Sequence, residues 1–152
     1  MILISACLAG VNCRYDGGNN KNKEILKLVK EKKAILVCPE QLGGLPTSRI
    51  PCEIVDGNGE DVLMNKAKVM DKNGEDKTLH FIKGAQETLK IAKLYGVETA
   101  ILKARSPSCG CGIIYDGSFL GNKKEGNGVT AALLKKEGIR VFDEENFKEY
   151  IK

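Results

Sequence analysis

The chain has 152 residues, of which 42% are hydrophobic and 29% are charged, so it is long enough for one domain with its own core and too apolar to be disordered. Its net charge of +4 comes from 24 basic and 20 acidic residues, scattered in a way more typical of solvated helix faces than of a nucleic-acid groove. The N-terminal run MILISACLAG is too short to span a bilayer and lacks the basic start of a signal peptide. We therefore expect a cytoplasmic protein with no membrane partner.

Short apolar runs alternate with helical patterns from the N-terminus onward. Four aliphatic runs predict buried strands, at 2–5, 34–38, 99–104 and 139–142. Apolar residues at helical spacing predict four helices, at 22–33, 77–96, 128–138 and 144–152. In the second helix this spacing places Leu79 on the buried face, and Gly96 is the expected C-terminal stop.

Residues 53–72 break this alternation. Asp-Gly and Asn-Gly segments there flank a Val-Leu-Met run, which predicts a small hairpin insertion. Elsewhere, strands that alternate with helices predict right-handed crossovers between parallel strands. The expected fold class is therefore α/β, with an open, mostly parallel sheet of about four strands and helices on both faces, in a Rossmann-like three-layer arrangement.

The positions of the cysteines carry most of the functional information. Six cysteines in a chain expected in a reducing compartment favour ligands or reactive thiols over disulfides. Cys7 follows the first predicted strand, Cys38 closes the second, and Cys109 lies in the loop after the third. Because the carboxyl ends of parallel strands share one edge of a sheet, these three cysteines are predicted to converge.

Converging thiolates bind soft metals such as zinc or the iron of iron–sulfur clusters. The spacings of Cys7 with Cys13 and of Cys109 with Cys111 do not match the paired cysteines of structural zinc sites. The only histidine, His80, falls in a helical pattern, and the closely spaced cysteine run of ferredoxins is absent. The residues therefore indicate either a cluster held by cysteines from three loops or a thiol redox centre.

Polar residues surround each of the three cysteines. A carboxylate beside a cluster can act as a general acid or base, which makes Glu40, two residues after Cys38, a candidate. Side chains that could contact a small ligand in the same loops are Arg14, Tyr15, Arg49, Ser106 and Ser108, and Arg49 could instead pair with an acid.

Three segments in this order, ISACLAGVNCRYDGGNN, CPEQLGGLPTSRIP and KARSPSCG, resemble the thiouracil desulfurase (TudS-type) family. The resemblance implies a single iron–sulfur-dependent desulfurase domain over residues 1–152, whose 4Fe–4S cluster is held by Cys7, Cys38 and Cys109. The iron without a protein ligand would take the sulfur of a thiolated pyrimidine such as 2- or 4-thiouracil. Water would then attack the carbon, and uracil and sulfide would form without net electron transfer.

The resemblance also implies roles for the surrounding residues. Glu40 corresponds to the acid/base carboxylate, and Ser106 corresponds to the catalytic serine, with Ser108 as the alternative. Outside the three ligands, Cys13 is expected to be a sulfur acceptor or spare ligand. Cys52 is expected to be a packed small residue, and Cys111 has no assigned role.

Three other functions are compatible with the sequence. The same chemistry could act on thiolated tRNA docked on the basic helices, which would make activity strongly salt-dependent. A non-catalytic iron–sulfur or metal-binding redox module would need a fourth protein ligand, Cys13 or Cys111. A globular domain with incidental cysteines would bind no iron.

Overall fold

The computed structural model describes residues 1–31 and 34–151, so residues 32–33 of the predicted first helix and residue 152 of the predicted terminal helix lie outside it. Strands lie at Ile2–Ser5 (β1), Ala34–Val37 (β2), Cys52–Val55 (β3), Lys68–Asp71 (β4), Thr99–Leu102 (β5), Ile113–Tyr115 (β6), Lys123–Glu125 (β7) and Arg140–Asp143 (β8). Helices lie at Lys23–Glu31 (α1), Pro39–Leu42 (α2), Gly59–Leu63 (α3), Thr78–Leu94 (α4) and Val129–Lys136 (α5). Two 3-10 helices lie at Ala6–Ala9 and Phe147–Glu149.

The central sheet has four parallel strands in the order β2-β1-β5-β8. Successive side chains of a strand point to opposite faces, so each strand supplies two cores. Leu3 and Leu102 pack with α4 and α5 on one face, whereas Ile4 and Ile101 pack with α1 on the other. The predicted α/β fold with a parallel four-stranded sheet and helices on both faces is therefore confirmed.

The predicted hairpin insertion is present, but a helix connects its strands. β3 and β4 pair in antiparallel fashion, with Ile54 opposite Val69. Between them, α3 begins at a capping box in which Asn58 and Asp61 each accept the other's backbone N–H. The insertion packs on α4 through a third core cluster that includes Phe81.

Several predicted boundaries were wrong for reasons visible in the contacts. β5 ends at Leu102 rather than at residue 104, because Ser5 Oγ and a Glu144 carboxylate oxygen accept the next two backbone N–H groups. Cys38 precedes α2 instead of closing β2, because Pro39 at the first helical position favours a helix start.

Two further predictions about helices were also wrong. The predicted terminal helix is reduced to a 3-10 turn that buries Phe147, because Asp143 and Asn146 first bond each other's backbone N–H groups in a turn. Leu79 is 80% exposed in the first turn of α4, before the buried face begins. No helix in the described part of the chain is long and apolar enough to cross a membrane.

The short helix α2 is held very close to α4 at two glycines. A Cβ atom on Gly84 would overlap the carbonyl oxygen of Pro39, and one on Gly43 would overlap that of His80. Only glycine permits such a backbone approach. This contact fixes the position of α2, and of Cys38 at its start, against α4, the longest helix in the described residues.

Candidate functional site

A cavity of about 520 Å³ opens at the carboxyl edge of the central sheet. Cys7, Cys38 and Cys109 all line it, from the segments that follow β1, β2 and β5. The structure thus brings together three cysteines that are far apart in sequence. Cys13 and Cys52 line the same cavity, whereas Cys111 does not.

Each of the three thiols has a polar neighbour. Asn20 Nδ2 donates to Cys7 Sγ at 3.4 Å, and Ser5 Oγ donates to Cys109 Sγ at 3.5 Å. Cys38 Sγ lies 3.8 Å from the carbonyl oxygen of Cys13. The donors Asn20 and Ser5 would stabilise thiolates at Cys7 and Cys109 and fix their direction, whereas the Cys38 thiol is itself the donor to the Cys13 carbonyl oxygen.

The loop that carries Cys109 is shaped by its own serine and by α5. Ser106 Oγ accepts the backbone N–H groups of Ser108 and Cys109, at 3.1 and 2.9 Å. The first backbone N–H groups of α5 donate to the carbonyl oxygens of Pro107 and Ser108 at 2.8–3.1 Å. The first N–H groups of a helix have no acceptor within the helix, so the carbonyl oxygens of the loop supply the hydrogen-bond acceptors that α5 needs.

The thiols differ in how readily they ionise. A hydrogen bond from the Cys13 thiol lowers the pKa of Cys7 to about 7 and also lowers the pKa of Cys38. The same two contacts raise the pKa of Cys13. Complete burial raises the pKa of Cys109 well above its usual value, so its thiolate needs a compensating positive charge such as a metal.

Glu40 projects from α2 into the cavity and is paired with Arg49. The distance between Glu40 Oε2 and an Arg49 terminal nitrogen is 3.0 Å, and the two side chains are only 16% and 8% exposed. This carboxylate is therefore held in a defined position beside the three cysteines. In the described residues, its other oxygen has no hydrogen-bond partner.

The two serines of the Cys109 loop occupy different environments. Ser106 lines the cavity. Ser108 is 1% exposed, lies outside the cavity lining, and its hydroxyl is 2.8 Å from that of Thr130 in α5. The structure thus places the Ser108 hydroxyl in the interior against α5, away from the cavity, and its assignment as a substrate-binding residue stays a prediction. Of the two serines, the geometry favours Ser106 as the catalytic one.

Arg14 and Tyr15 form part of the cavity wall. Arg14 donates to Asn20 Oδ1 at 2.8 Å and pairs with Asp16 at 3.3 Å. Asn20 in turn donates to Cys7, so the Asn20 side chain links Arg14 to the predicted ligand Cys7. Tyr15 is 43% exposed, so its ring is accessible from the cavity mouth.

Sequence reasoning missed several polar residues of the cavity, among them Ser5, Asn20 and Lys103. Ser5 and Lys103 both line it. Ser5 ends β1 and Lys103 follows β5. The rule that ligand sites form at the carboxyl ends of parallel strands predicted the cysteines and could have predicted these two residues as well. Asn20 carries no such signal, because only the folded loop brings it to Cys7.

The remaining cysteines and the histidine have other surroundings. Cys111 Sγ donates to the carbonyl oxygen of Val141 at 3.4 Å and packs on the core. Burial raises the pKa of Cys52 to about 12. His80 Nδ1 lies 2.8 Å from the carbonyl oxygen of Gly43, at the contact between α2 and α4.

A model of the family described as 2-thiouracil desulfurase matches residues 2–146. The chain belongs to this family. The match confirms the resemblance seen in the sequence and the prediction of a thiouracil desulfurase enzyme. Among relatives, a Bacillus subtilis (strain 168) protein described as the uncharacterized protein YbbK is 50% identical over 151 residues, which is 99% of this chain and 100% of the relative.

A solved structure supports both the fold and the family. The protein described as the [4Fe-4S]-dependent thiouracil desulfidase TudS is 41% identical to this chain and superposes with a TM-score of 0.85. The match covers 97% of this chain and 93% of the other. The description of that protein names a 4Fe–4S cluster, which is the cofactor that the sequence resemblance implies for this chain.

Proposed function

We propose that this chain is a 4Fe–4S-dependent enzyme that hydrolyses thiolated pyrimidine bases, converting 2- or 4-thiouracil into uracil and sulfide. One observation carries the proposal: three thiols from separate strand ends line a single cavity that also contains a carboxylate, Glu40. Because these thiols come from distant segments of the chain, we also propose that residues 1–152 act as one domain. The cytoplasmic location expected from the N-terminus stays a prediction.

The donor set fits a cluster better than a single ion. No three His, Cys, Asp or Glu residues in the described ranges are close enough to hold one metal ion. Thiolates around an open cavity suit a polynuclear group, since each then binds a different metal atom. Cys7, Cys38 and Cys109 would hold the cluster, which supplies a Lewis-acidic iron that polarises the C=S bond and stabilises sulfide as it leaves.

Glu40 is suited to move the proton of the attacking water. Arg49 holds one carboxylate oxygen at 3.0 Å, which leaves the other free to accept that proton. A carboxylate held in one position on the cavity wall loses little conformational entropy when the reaction begins. Glu40 can then return the proton to the departing sulfur, so that it acts first as base and then as acid.

Ser106 is suited to orient the substrate ring. Its oxygen already accepts two backbone N–H groups, at 3.1 and 2.9 Å, so its own hydroxyl proton is available to donate into the cavity. A carbonyl oxygen or ring nitrogen of the pyrimidine is a suitable acceptor. Tyr15 and Arg14, at the mouth, are positioned to cover the ring.

The charges at the cavity favour a small neutral base over tRNA. Arg14 is paired with Asp16, Lys103 with Glu144 at 2.9 Å, and Arg105 with Glu145 at 2.9 Å. Each positive charge on the cavity wall is therefore offset by an acid, which weakens attraction to phosphates.

The test uses protein whose cluster has been reconstituted anaerobically, with 2-thiouracil or 4-thiouracil and no reductant. We expect sulfide and uracil in equal amounts. Cys109→Ala should abolish iron binding and activity, whereas the matched control Cys111→Ala should retain both. A strict need for an electron donor in each turnover would contradict the proposal, and sulfide release only from thiolated tRNA would reassign the substrate.

A further inference from the structure

The terminal nitrogens of the Arg49 guanidinium direct their N–H groups to acceptors of the protein itself, and in the described residues only its Nε–H has no partner. One terminal nitrogen donates to the carbonyl oxygen of Cys13 and to Glu40 Oε2, both at 3.0 Å. The other donates to the carbonyl oxygen of Pro46 at 3.2 Å and to Thr47 Oγ1 at 3.5 Å. Each terminal nitrogen carries two N–H groups, so these four contacts leave neither with an N–H for a substrate.

We infer that Arg49 is a positioning residue that fixes the Glu40 carboxylate, and that it does not bind the substrate. This inference rests on the proposed function, because it assigns Arg49 to the acid/base step through Glu40. It replaces the expectation from the sequence that Arg49 contacts the substrate directly.

Glu40 needs an external support because its own helix is short. α2 spans only Pro39–Leu42, and Glu40 is its second residue. A glutamate side chain has three rotatable bonds, and its contact with Arg49 restricts them. The planar fork of Arg49 offers a fixed geometry that a flexible ammonium group does not.

Arg49 also joins the segments that form the wall around Glu40. Its side chain bonds the carbonyl oxygen of Cys13, and its backbone N–H donates to the carbonyl oxygen of Tyr15 at 2.8 Å. Because the side chain is only 8% exposed, water cannot readily replace these contacts when the arginine is removed. The carboxylate and the loop that carries Cys13 are therefore held by the same group.

The kinetic experiment compares Arg49→Gln and Arg49→Lys with the wild type, each loaded with the cluster. We expect Arg49→Gln to lower kcat by about 10²-fold, the cost of a misplaced catalytic group, and to change KM by less than about threefold. Arg49→Lys keeps the charge but presents all its N–H groups from one atom, so its kcat should fall between the two. Arg140→Gln, at the opposite edge of the sheet, is the matched control.

A double-mutant cycle separates positioning from binding. If Arg49 acts through Glu40, then Arg49→Gln in a Glu40→Gln background should lower kcat by less than about a further threefold. A full 10²-fold loss in that background, or a rise in KM with unchanged kcat, would overturn the inference. Should Arg49→Gln fail to fold, Arg49→Lys enters the same cycle.

A measurement on cluster-free protein keeps the inference independent of activity. Amide hydrogen exchange in Arg49→Gln should become faster at 13–16 and 38–42, the segments that Arg49 holds, and should be unchanged in α5. Unchanged exchange at 13–16 and 38–42 would overturn the inference. Wild-type protein that releases no sulfide would refute the proposed function alone, and the exchange experiment would still decide the role of Arg49.

Discussion

Glu40 has one carboxylate oxygen bound by Arg49 and one without a partner in the described residues, and the proposed proton transfer would use the second. Glu40→Gln preserves the shape of the side chain but cannot take up a proton. We expect this variant to retain its cluster and to turn over more slowly by about 10²–10⁴-fold, the usual contribution of a positioned acid/base. Iron content and sulfide release, measured on the same preparation, check both points, and full activity would assign the proton transfer to another group.

The two serines of the Cys109 loop allow a test of which one contributes its hydroxyl to the reaction. Ser106→Ala removes a hydroxyl from the cavity wall, so kcat should fall. Because the same oxygen accepts the backbone N–H groups of Ser108 and Cys109, kcat is expressed per cluster bound. Ser108→Ala leaves the buried Thr130 hydroxyl without its partner, which should cost about 1–3 kcal/mol of unfolding free energy with kcat preserved. Urea unfolding and sulfide release distinguish them, and the reverse pattern would make Ser108 the catalytic serine.

Substitution of Cys13 distinguishes a cluster that has one iron without a protein ligand from a cluster with four protein ligands. Cys13 lines the same cavity as the three predicted ligands, so it is a candidate for a fourth ligand. We expect Cys13→Ala and Cys52→Ala to retain the cluster, whereas alanine at Cys7, Cys38 or Cys109 should abolish it. Iron analysis and the visible spectrum of anaerobic protein provide the readout. Loss of iron from Cys13→Ala would favour a non-catalytic module with four ligands.

Among the secondary structure elements, α2 depends most on a single backbone contact. Gly84→Ala should raise helix propensity in α4 by about 1 kcal/mol, yet its methyl group would overlap the Pro39 carbonyl oxygen. We therefore expect destabilisation instead of stabilisation, with reduced cluster content because Cys38 and Glu40 move with α2. Thermal unfolding and iron content measure the two effects.

Gly96→Ala is the matched control for this element. Gly96 has a positive φ of 64° but no atom near its Cβ position, and it lies after α4 away from the cavity. The alanine there should lower stability through backbone strain while iron content stays normal. Equal loss of iron in both variants would show that general destabilisation, and not displacement of α2, empties the site.

The sequence predicted the elements whose signal is local and missed those that depend on the fold. β1, β2, β5 and β8 are aliphatic runs, and their parallel order places the cysteines on one edge. α2 spans barely one helical turn, too short for a helical period, and β6 and β7 have three residues each, with charged residues throughout β7 instead of an aliphatic run. The Glu40–Arg49 pair and the burial of Ser108 arise from contacts between distant segments, which no local pattern encodes.

At the scale of the whole molecule, the predicted cluster would connect the ends of three strands. A group that binds the folded chain but not the unfolded chain stabilises it by mass action, by about 2.7 kcal/mol at 100 times its Kd. We expect removal of the cluster by chelation to lower the Tm by several degrees, at roughly 2–4 °C per kcal/mol for a chain of this size. Cys109→Ala should show no such difference between treated and untreated samples, and an unchanged Tm in the wild type would contradict ligation by all three segments.

The attachment of the Cys109 loop to α5 sets the time during synthesis at which the site can form. Cys7 and Cys38 leave the ribosome early, but the loop with Cys109, the proposed third ligand, is held by the backbone N–H groups of residues 129–131. Domains fold as units as the chain is made. A nascent chain that ends before α5 would thus present three thiols without the geometry to bind iron. We therefore expect the cluster to be inserted only after α5 has been synthesised.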